Sequence, residues 1–471
     1  MKKISKLKAN LFYNICYQIL SLIVPLITAP YISRVIGVSG VGEYSYSYSV
    51  AHYFVLFIML GVLNYGNREI ASVKDSANKV ALKFSEIYVV QLTLGIVVAS
   101  LYMAYVAFFC KFNRLVALAQ ILYIISALLD ISWVYFGIER FKTTAGVSSL
   151  NKIATTVLIF MLVQNKEDVF VYTVIIAGGA LLNNILYWIM LKRYINISVI
   201  SLNVKNIRRH LKPMLVLFIP VIAISVYKYM DKIMLGILVD TSEVGIYESA
   251  EKFVNLPLSL ITAVGTVMLP RISNLKEKVQ NKEIKKYNYI SMVLIMFLGF
   301  GIVFGLAGIT DRLIPWFYGR EFVRSTYVLL ILLPSVLFVS WANVVRTQCL
   351  LPNKRDKEYC ISVILGAIVN LIINILLIQK YGAIGAAIGT TIAELFVCLI
   401  QSFQTRKEME FIKDIIDSIP FAISAFIMFL VICSITFTSD LYTIVVRIVV
   451  GGLLYCASSS YFIRKTIKAI R

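Results

Sequence analysis

Fourteen apolar stretches alternate with short polar gaps along the chain. They lie at roughly 11–32, 44–64, 86–109, 115–137, 147–163, 169–191, 213–238, 244–270, 289–309, 326–351, 359–378, 382–403, 418–437 and 441–463. About 20 apolar residues rising 1.5 Å each cross a hydrocarbon core about 30 Å thick. The pattern therefore predicts an all-α integral membrane protein with about 14 transmembrane helices. The gaps are not equivalent. The N-terminal tail and every second gap after it hold about 32 of the 46 lysines and arginines. The intervening gaps hold about 8, and about 6 fall inside the apolar stretches. This alternation predicts that both termini face the cytoplasm. The first apolar run is too long for a signal peptide and lacks a small-x-small cleavage site, so it reads as a retained first helix.

Composition agrees. Of the 471 residues, 59% are hydrophobic, and the mean hydropathy is +0.82. Too few polar residues remain to cover the surfaces of soluble domains. The net charge of +21 does not imply nucleic acid. Its sources sit in short cytoplasmic gaps, as at Lys192, Arg193, Lys205, Arg208, Arg209 and Lys212, and at Arg271, Lys276, Lys278, Lys282, Lys285 and Lys286. There they set topology and attract anionic membrane lipids. The seven cysteines, Cys16, Cys110, Cys349, Cys360, Cys398, Cys433 and Cys456, lie in or beside apolar stretches without CxxC spacing. They read as small core residues, with neither disulfides nor metal implied.

Two histidines, His52 and His210, are too few for a histidine metal site. The chain has no Gly-Lys dipeptide, hence no phosphate-binding loop for ATP, and no DxD or HExxH motif. The longest outward gap, Thr310–Ser325, leaves no room for an external catalytic domain. No cofactor is implied, and the chemistry is expected between helices.

Several landmarks recur about 200 residues apart. Gly37 matches Gly236, and Val41-Gly42-Glu43-Tyr44 matches Val244-Gly245-Ile246-Tyr247. Gly61 with Arg68 matches Gly265 with Arg271, and Gly178-Gly179 matches Gly382. Six helices per repeat is an even number, so the repeats would be parallel, related by a pseudo-twofold axis along the membrane normal. The expected division is 1–205 for helices 1–6, 206–405 for helices 7–12, and 406–471 for an extra hairpin. Two such lobes would face each other across a cleft that opens to either side. Gly382, Gly385, Ala386 and Gly389 form a small-residue face suited to close helix packing.

Charges inside apolar stretches are costly, about 2.5–3.5 kcal/mol each on insertion scales. They are therefore expected to face protein or water. Lys228, Asp231 and Lys232 share one flank of the seventh segment; Glu248, Glu251 and Lys252 lie at matching depth on the eighth. Two readings stand. The six neutralise one another as ion pairs, or Lys228, Lys232 or Lys252 meets an anionic substrate. Arg34 and Arg346 have no acid within one helical turn and are further candidates for a cationic cavity. Asp130 and Glu394 are lone acids, either partners of these bases or sites for a coupling ion. Asn370 and Asn374, and Asn183 and Asn184, are expected to make interhelical hydrogen bonds.

Specific segments carry a family resemblance. Ala29-Pro30-Tyr31-Ile32-Ser33-Arg34-Val35-Ile36-Gly37, followed by Gly42-Glu43-Tyr44-Ser45-Tyr46-Ser47, resembles the N-terminal signature of the polysaccharide-unit flippases, the Wzx or O-antigen transporter type of the MOP superfamily. Asn64-Tyr65-Gly66-Asn67-Arg68-Glu69-Ile70-Ala71 is similar to the next family segment. So are Asp231-Lys232-Ile233-Met234-Leu235-Gly236, Met268-Leu269-Pro270-Arg271-Ile272-Ser273 and Tyr381-Gly382-Ala383-Ile384-Gly385-Ala386-Ala387. The resemblance implies a V-shaped, two-lobed, alternating-access transporter in a bacterial plasma membrane. It implies a substrate as well, an undecaprenyl-diphosphate-linked oligosaccharide moved from the inner to the outer leaflet. Polysaccharide polymerase and export proteins are the implied protein partners. By position, Arg34 and Lys232 best match the family's cationic residues.

The physics suits that task. A bare diphosphate cannot enter hydrocarbon, whereas fixed bases can replace its water while the polyprenyl tail stays in lipid. An inside-negative potential favours outward movement of negative charge by about 2.3 kcal/mol per charge per 100 mV. Na+ coupling, H+ coupling and the potential alone are the alternatives for driving the cycle. A cation-coupled multidrug or metabolite exporter of the same superfamily is the alternative function, with Asp130 and Glu394 as its coupling sites. A membrane enzyme such as a repeat-unit polymerase would need a large outward loop, which this pattern does not supply.

Overall fold

The computed structural model describes residues 2–110, 112–195 and 204–470. Residues 196–203 of one basic gap, and the side chain of Lys205, lie outside the described residues. Every regular element among the described residues is helical. In chain order these are α1 (Lys2–Met59), α2 (Val62–Val73), α3 (Ala77–Phe108), α4 (Arg114–Ala119), α5 (Ile121–Leu128), α6 (Ser132–Gly137), α7 (Phe141–Leu162), α8 (Val169–Leu191), α9 (Val204–Leu238), α10 (Thr241–Glu277), α11 (Asn281–Ala307), α12 (Thr310–Tyr318), α13 (Arg324–Val345), α14 (Asp356–Tyr381), α15 (Ala383–Gln404), α16 (Phe411–Cys433) and α17 (Asp440–Ile470).

Among the described residues, twelve stretches are long and apolar enough to cross a membrane. The first, Cys16–Val73, covers the first two expected segments. Its 58-residue helix α1 would far exceed a bilayer if straight. Gly37, at φ 71° and ψ −177°, breaks it into two arms. The seventh expected segment lies in α9, whose apolar run is interrupted by Lys228, Asp231 and Lys232. The protein is a multi-pass, all-helical membrane protein.

Two compact units form, Met1–Ile233 and Met234–Arg471. In the first, α9 is held by close backbone approach and by a buried polar chain. A side chain at Gly61 (φ 76°) would meet Met214 O at 2.8 Å and Phe218 N at 3.1 Å, so both the left-handed backbone and the contact require glycine. Nearby, Tyr65 Oη lies 2.6 Å from His210 Nδ1, and His210 Nε2 lies 3.0 Å from Glu86 Oε2. Glu86 and His210 are buried, and this chain ties α2 and α3 to α9. Around it pack Phe84, Ile87, Trp133, Tyr135 and Tyr187.

In the second unit, Glu243 in the first turn of α10 gathers three helix starts. Its carboxylate accepts the Ala383 backbone N–H at 2.7 Å and pairs with Arg324. The C-terminal hairpin α16–α17 packs on α11 through Met428, Ile432 and Tyr455 against Phe297, Phe300 and Phe304. Arg447, 2% exposed, donates to Gly308 O at 2.8 Å and Asp311 Oδ1 at 2.7 Å, a buried charge fully engaged at the end of α11.

Three expectations need correction. The outward gap Thr310–Ser325 is not a loop. Thr310–Tyr318 is helical, anchored to α17 by Arg312–Asp440 and Arg447–Asp311. The fourth expected segment is not one helix but α4, α5 and α6. Within α14, Asn374 Nδ2 donates to Asn370 Oδ1 at 3.2 Å, as i, i+4 amides on one helix reach each other. Cys16, Cys433 and Cys456 are exposed rather than core, while Cys110, Cys349 and Cys398 are buried. The glycines matched at the 200-residue offset also differ in backbone. Gly37, Gly61 and Gly382 have positive φ, whereas Gly236, Gly265 and Gly178-Gly179 lie within helices.

Candidate functional site

The second arm of α1 presents Tyr44, Tyr48 and His52 at four-residue spacing, hence on one face. Ring centroids are 6.0 Å apart for Tyr44–Tyr48 and 5.8 Å for Tyr48–His52. Tyr123 of α5 closes on this strip, its Oη 3.3 Å from Tyr48 Oη and 3.2 Å from His52 Nδ1. From α9, the Tyr229 ring sits 4.3 Å from His52. The ammonium groups of Lys228 and Lys232 lie 5.7 and 5.6 Å from the Tyr229 centroid, within cation–π range. Lys228 is exposed, whereas Lys232 is 6% and Asp231 2% exposed. This turn of α9 thus carries two ammonium groups and one carboxylate. Half-buried rings with hydroxyl and imidazole edges surround it.

Behind Tyr123 lies a cavity of about 780 Å³ inside the first unit. Helices α7 and α8 supply most of its wall, and one side of it is the interrupted run α5–α6. The helix stops at Leu128 and restarts at Ser132, which frees backbone carbonyls at membrane depth. Side chains satisfy them. Gln91 Nε2 donates to Ala127 O and to Asp130 O, both at 2.9 Å. Trp133 Nε1 reaches Asp130 O at 3.2 Å, and Trp188 Nε1 reaches Leu129 O at 2.9 Å. Asp130 Oδ1 accepts the Ser132 N–H at 2.8 Å. Irregular backbone at this depth is tolerated only where protein or a cavity receives it. The two expected interhelical amides are present: Asn184 Nδ2 donates to Ser126 O at 2.9 Å, and Asn183 Oδ1 accepts from Ser148 Oγ at 3.2 Å. Asp130 and Lys152 both line the cavity.

The remaining candidates disperse. Arg34 is exposed on the first arm of α1, before the Gly37 break. Lys252 pairs with Glu248 at 3.5 Å on α10, one turn apart, with Glu251 half-buried beside them. Arg346 opens a π-helical turn, Arg346–Leu350, of the kind frequent at functional sites. Its guanidinium donates to Asn343 Oδ1 at 2.8 Å and lies 5.6 Å over the Tyr359 ring. Glu394 is half-buried on α15. Of the ten charged candidates, Lys228, Asp231 and Lys232 are thus gathered at the aromatic cluster, and Asp130 lines the adjoining cavity. Lys252, Glu248, Glu251, Arg346 and Glu394 belong to the second unit.

Sequence reasoning did not find the aromatic strip, although Tyr44, Tyr48 and His52 at i, i+4, i+8 carried its signal. Neither did it find the Tyr65–His210–Glu86 chain or the role of Gln91, whose partners lie 36 and 39 residues away.

A family profile described as polysaccharide biosynthesis protein matches residues 7–276. A protein of Escherichia coli strain K12, named as an O-antigen transporter, is 24% identical over 412 residues, covering 84% of this chain and 95% of its own. Its counterpart of Shigella dysenteriae, named likewise, is 23% identical over 380 residues, covering 80% and 94%. Among solved structures, the lipid II flippase MurJ in an inward closed conformation superposes with a TM-score of 0.80 at 18% identity, covering 97% of this chain and all of that one. An inward-facing multidrug resistance MATE family transporter of the MOP superfamily gives 0.59 at 12% identity, covering 82% and 97%. The fold is shared with both.

Proposed function

The chain belongs to the polysaccharide biosynthesis protein family, and from that premise we propose that it is a flippase for an undecaprenyl-diphosphate-linked oligosaccharide. It carries this lipid from the inner to the outer leaflet of the bacterial plasma membrane by alternating access, for assembly of a capsule or O-antigen type polysaccharide. Both termini face the cytoplasm, and the chain acts as a transporter rather than an enzyme. Polymerase and export proteins receive its product.

The observation that carries this reading is the α9 turn. A buried lysine and an exposed one flank Tyr229 at 5.6 and 5.7 Å inside a membrane-spanning unit. Charged side chains at such depth are kept where they face protein or a water-filled path, and they mark substrate routes. For a diphosphate entering this path, the lysines replace the water it leaves behind. Arg34, exposed on the first arm of α1 and apart from this turn, is assigned a separate contact with the anionic substrate.

The test is flipping of lipid-linked oligosaccharide in proteoliposomes. Lys232→Ala removes a charge-assisted contact and is expected to slow transport about 10- to 100-fold, with Lys232→Arg retaining most of it. Full transport by both Lys232→Ala and Arg34→Ala, at normal protein levels, would refute the cationic site.

A further inference from the structure

We infer that the cavity behind Tyr123 is a glycan subsite, taking the hydroxyl-rich sugar headgroup of the substrate while the α9 lysines hold its diphosphate; this rests on the flippase reading. The first argument is volume. At about 780 Å³ the cavity lies within the range of about 300–1,000 Å³ typical of small-molecule sites.

The second is chemistry. Asn67, Ser126, Ser148, Asn151 and Asn183 are among its lining residues. A carboxamide offers a donor and an acceptor side by side, which matches the alternating donors and acceptors of vicinal sugar hydroxyls. Ser126, Ser148 and Asn183 hold neighbouring helices together by hydrogen bonds and keep further donor or acceptor capacity for a polar occupant. One lining amide is already short of a partner, since Asn151 Oδ1 is buried without a hydrogen bond. The charged pair Asp130 and Lys152 cancels in sign, so the cavity favours a neutral headgroup over an anion.

The third is continuity. Tyr123 belongs at once to the cavity wall and to the strip of Tyr48 and His52. His52 in turn touches Tyr229, between the two lysines. Aromatic faces suit the C–H faces of pyranose rings, so a path of stackable rings joins the diphosphate position to the amide-lined chamber. Finally, one side of the wall is a broken helix, the form in which membrane transporters commonly build substrate sites.

The experiment compares two lipids in proteoliposomes holding the full chain. One is the lipid-linked oligosaccharide extracted from the source cells. The other is the same lipid trimmed to its first sugar. Ala180→Phe fills the cavity without removing a hydrogen bond, and Asn151→Leu removes an amide. Each is expected to slow the oligosaccharide lipid about tenfold more than the single-sugar lipid. Lys232→Ala slows both alike. Equal slowing of both lipids by the cavity variants, or none, overturns the inference. If the unaltered protein moves neither lipid, the flippase reading falls. The released oligosaccharide is then tested alone by saturation-transfer NMR on the solubilised protein. Binding that Ala180→Phe abolishes would keep the subsite, and absence of binding would remove it too.

Discussion

Replacing Gln91 by leucine isolates what holds the helix break open. Gln91 is fully buried and bridges α3 to the gap between α5 and α6. Its Nε2 donates to Ala127 O and Asp130 O at 2.9 Å each, and its Oε1 lies 3.3 Å from Trp133 Nε1. Leucine matches its bulk and keeps the apolar contacts, so the change removes hydrogen bonds rather than volume. Hydrogen bonds between membrane helices average about 0.6 kcal/mol and reach about 1.7. Each carbonyl keeps one other donor, Asp130 N for Ala127 O and Trp133 Nε1 for Asp130 O, so the loss per bond stays within that range. Three bonds therefore come to about 2–5 kcal/mol. A unit of this size loses roughly 2–4 °C of Tm per kcal/mol, so the variant should melt about 5–15 °C lower. Differential scanning fluorimetry in detergent suits the question, because Trp133 and Trp188 both bond carbonyls of the same break. Their emission should change early in the transition. A Tm within about 1 °C of the parent would mean that the break is stable without its caps, and the energetic account of the cavity wall would fail.

Two further substitutions test neighbouring claims. Gly66→Ala drives a methyl into the Trp133 ring, which is fully buried and hydrogen-bonded on its other edge; overpacking of this kind costs about 1–3 kcal/mol, read as a lowered Tm, and an unchanged Tm would show that the ring yields. Glu243→Ala removes the acceptor for Ala383 N and the partner of Arg324, a loss of about 1.5–3 kcal/mol for a charged hydrogen bond; Glu243→Gln should recover about half, measured by thermal melting, and equal losses in both variants would assign the effect to the charge alone.

What the sequence disclosed follows from what lipid demands. Backbone groups in hydrocarbon must pair within their own segment, so apolar length alone predicts helices, and they are present. The interruption at Leu129–Ile131 was hidden for the same reason that makes it informative. The run 115–137 is apolar almost throughout, and its one charged residue, Asp130, is equally consistent with an intact helix. What permits the break is Gln91, contributed from another helix, and no local pattern announces a cap from a distance. The charged site divides in the same way. Spacing along α9 placed Lys228, Asp231 and Lys232 on one flank, and they do meet at one place. Spacing could not tell that Lys232 would be buried and Lys228 exposed, since that depends on which helices pack around the turn. The i, i+4 spacing of Glu248 and Lys252, by contrast, is legible in the sequence, and the two pair at 3.5 Å.

The Gln91 and Gly66 predictions are therefore coupled. Gln91 bonds Trp133 along one edge, and Gly66 leaves room for the ring of the same residue. If Trp133 is the keystone of the cavity wall, either change frees it, and the second then finds less left to disturb. The double variant should lose less stability than the two singles added together, by about 0.5–3 kcal/mol for residues sharing a partner. Strict additivity would mean that the carbonyl caps and the tryptophan act separately. The wall would then be two independent contacts rather than one cooperative element.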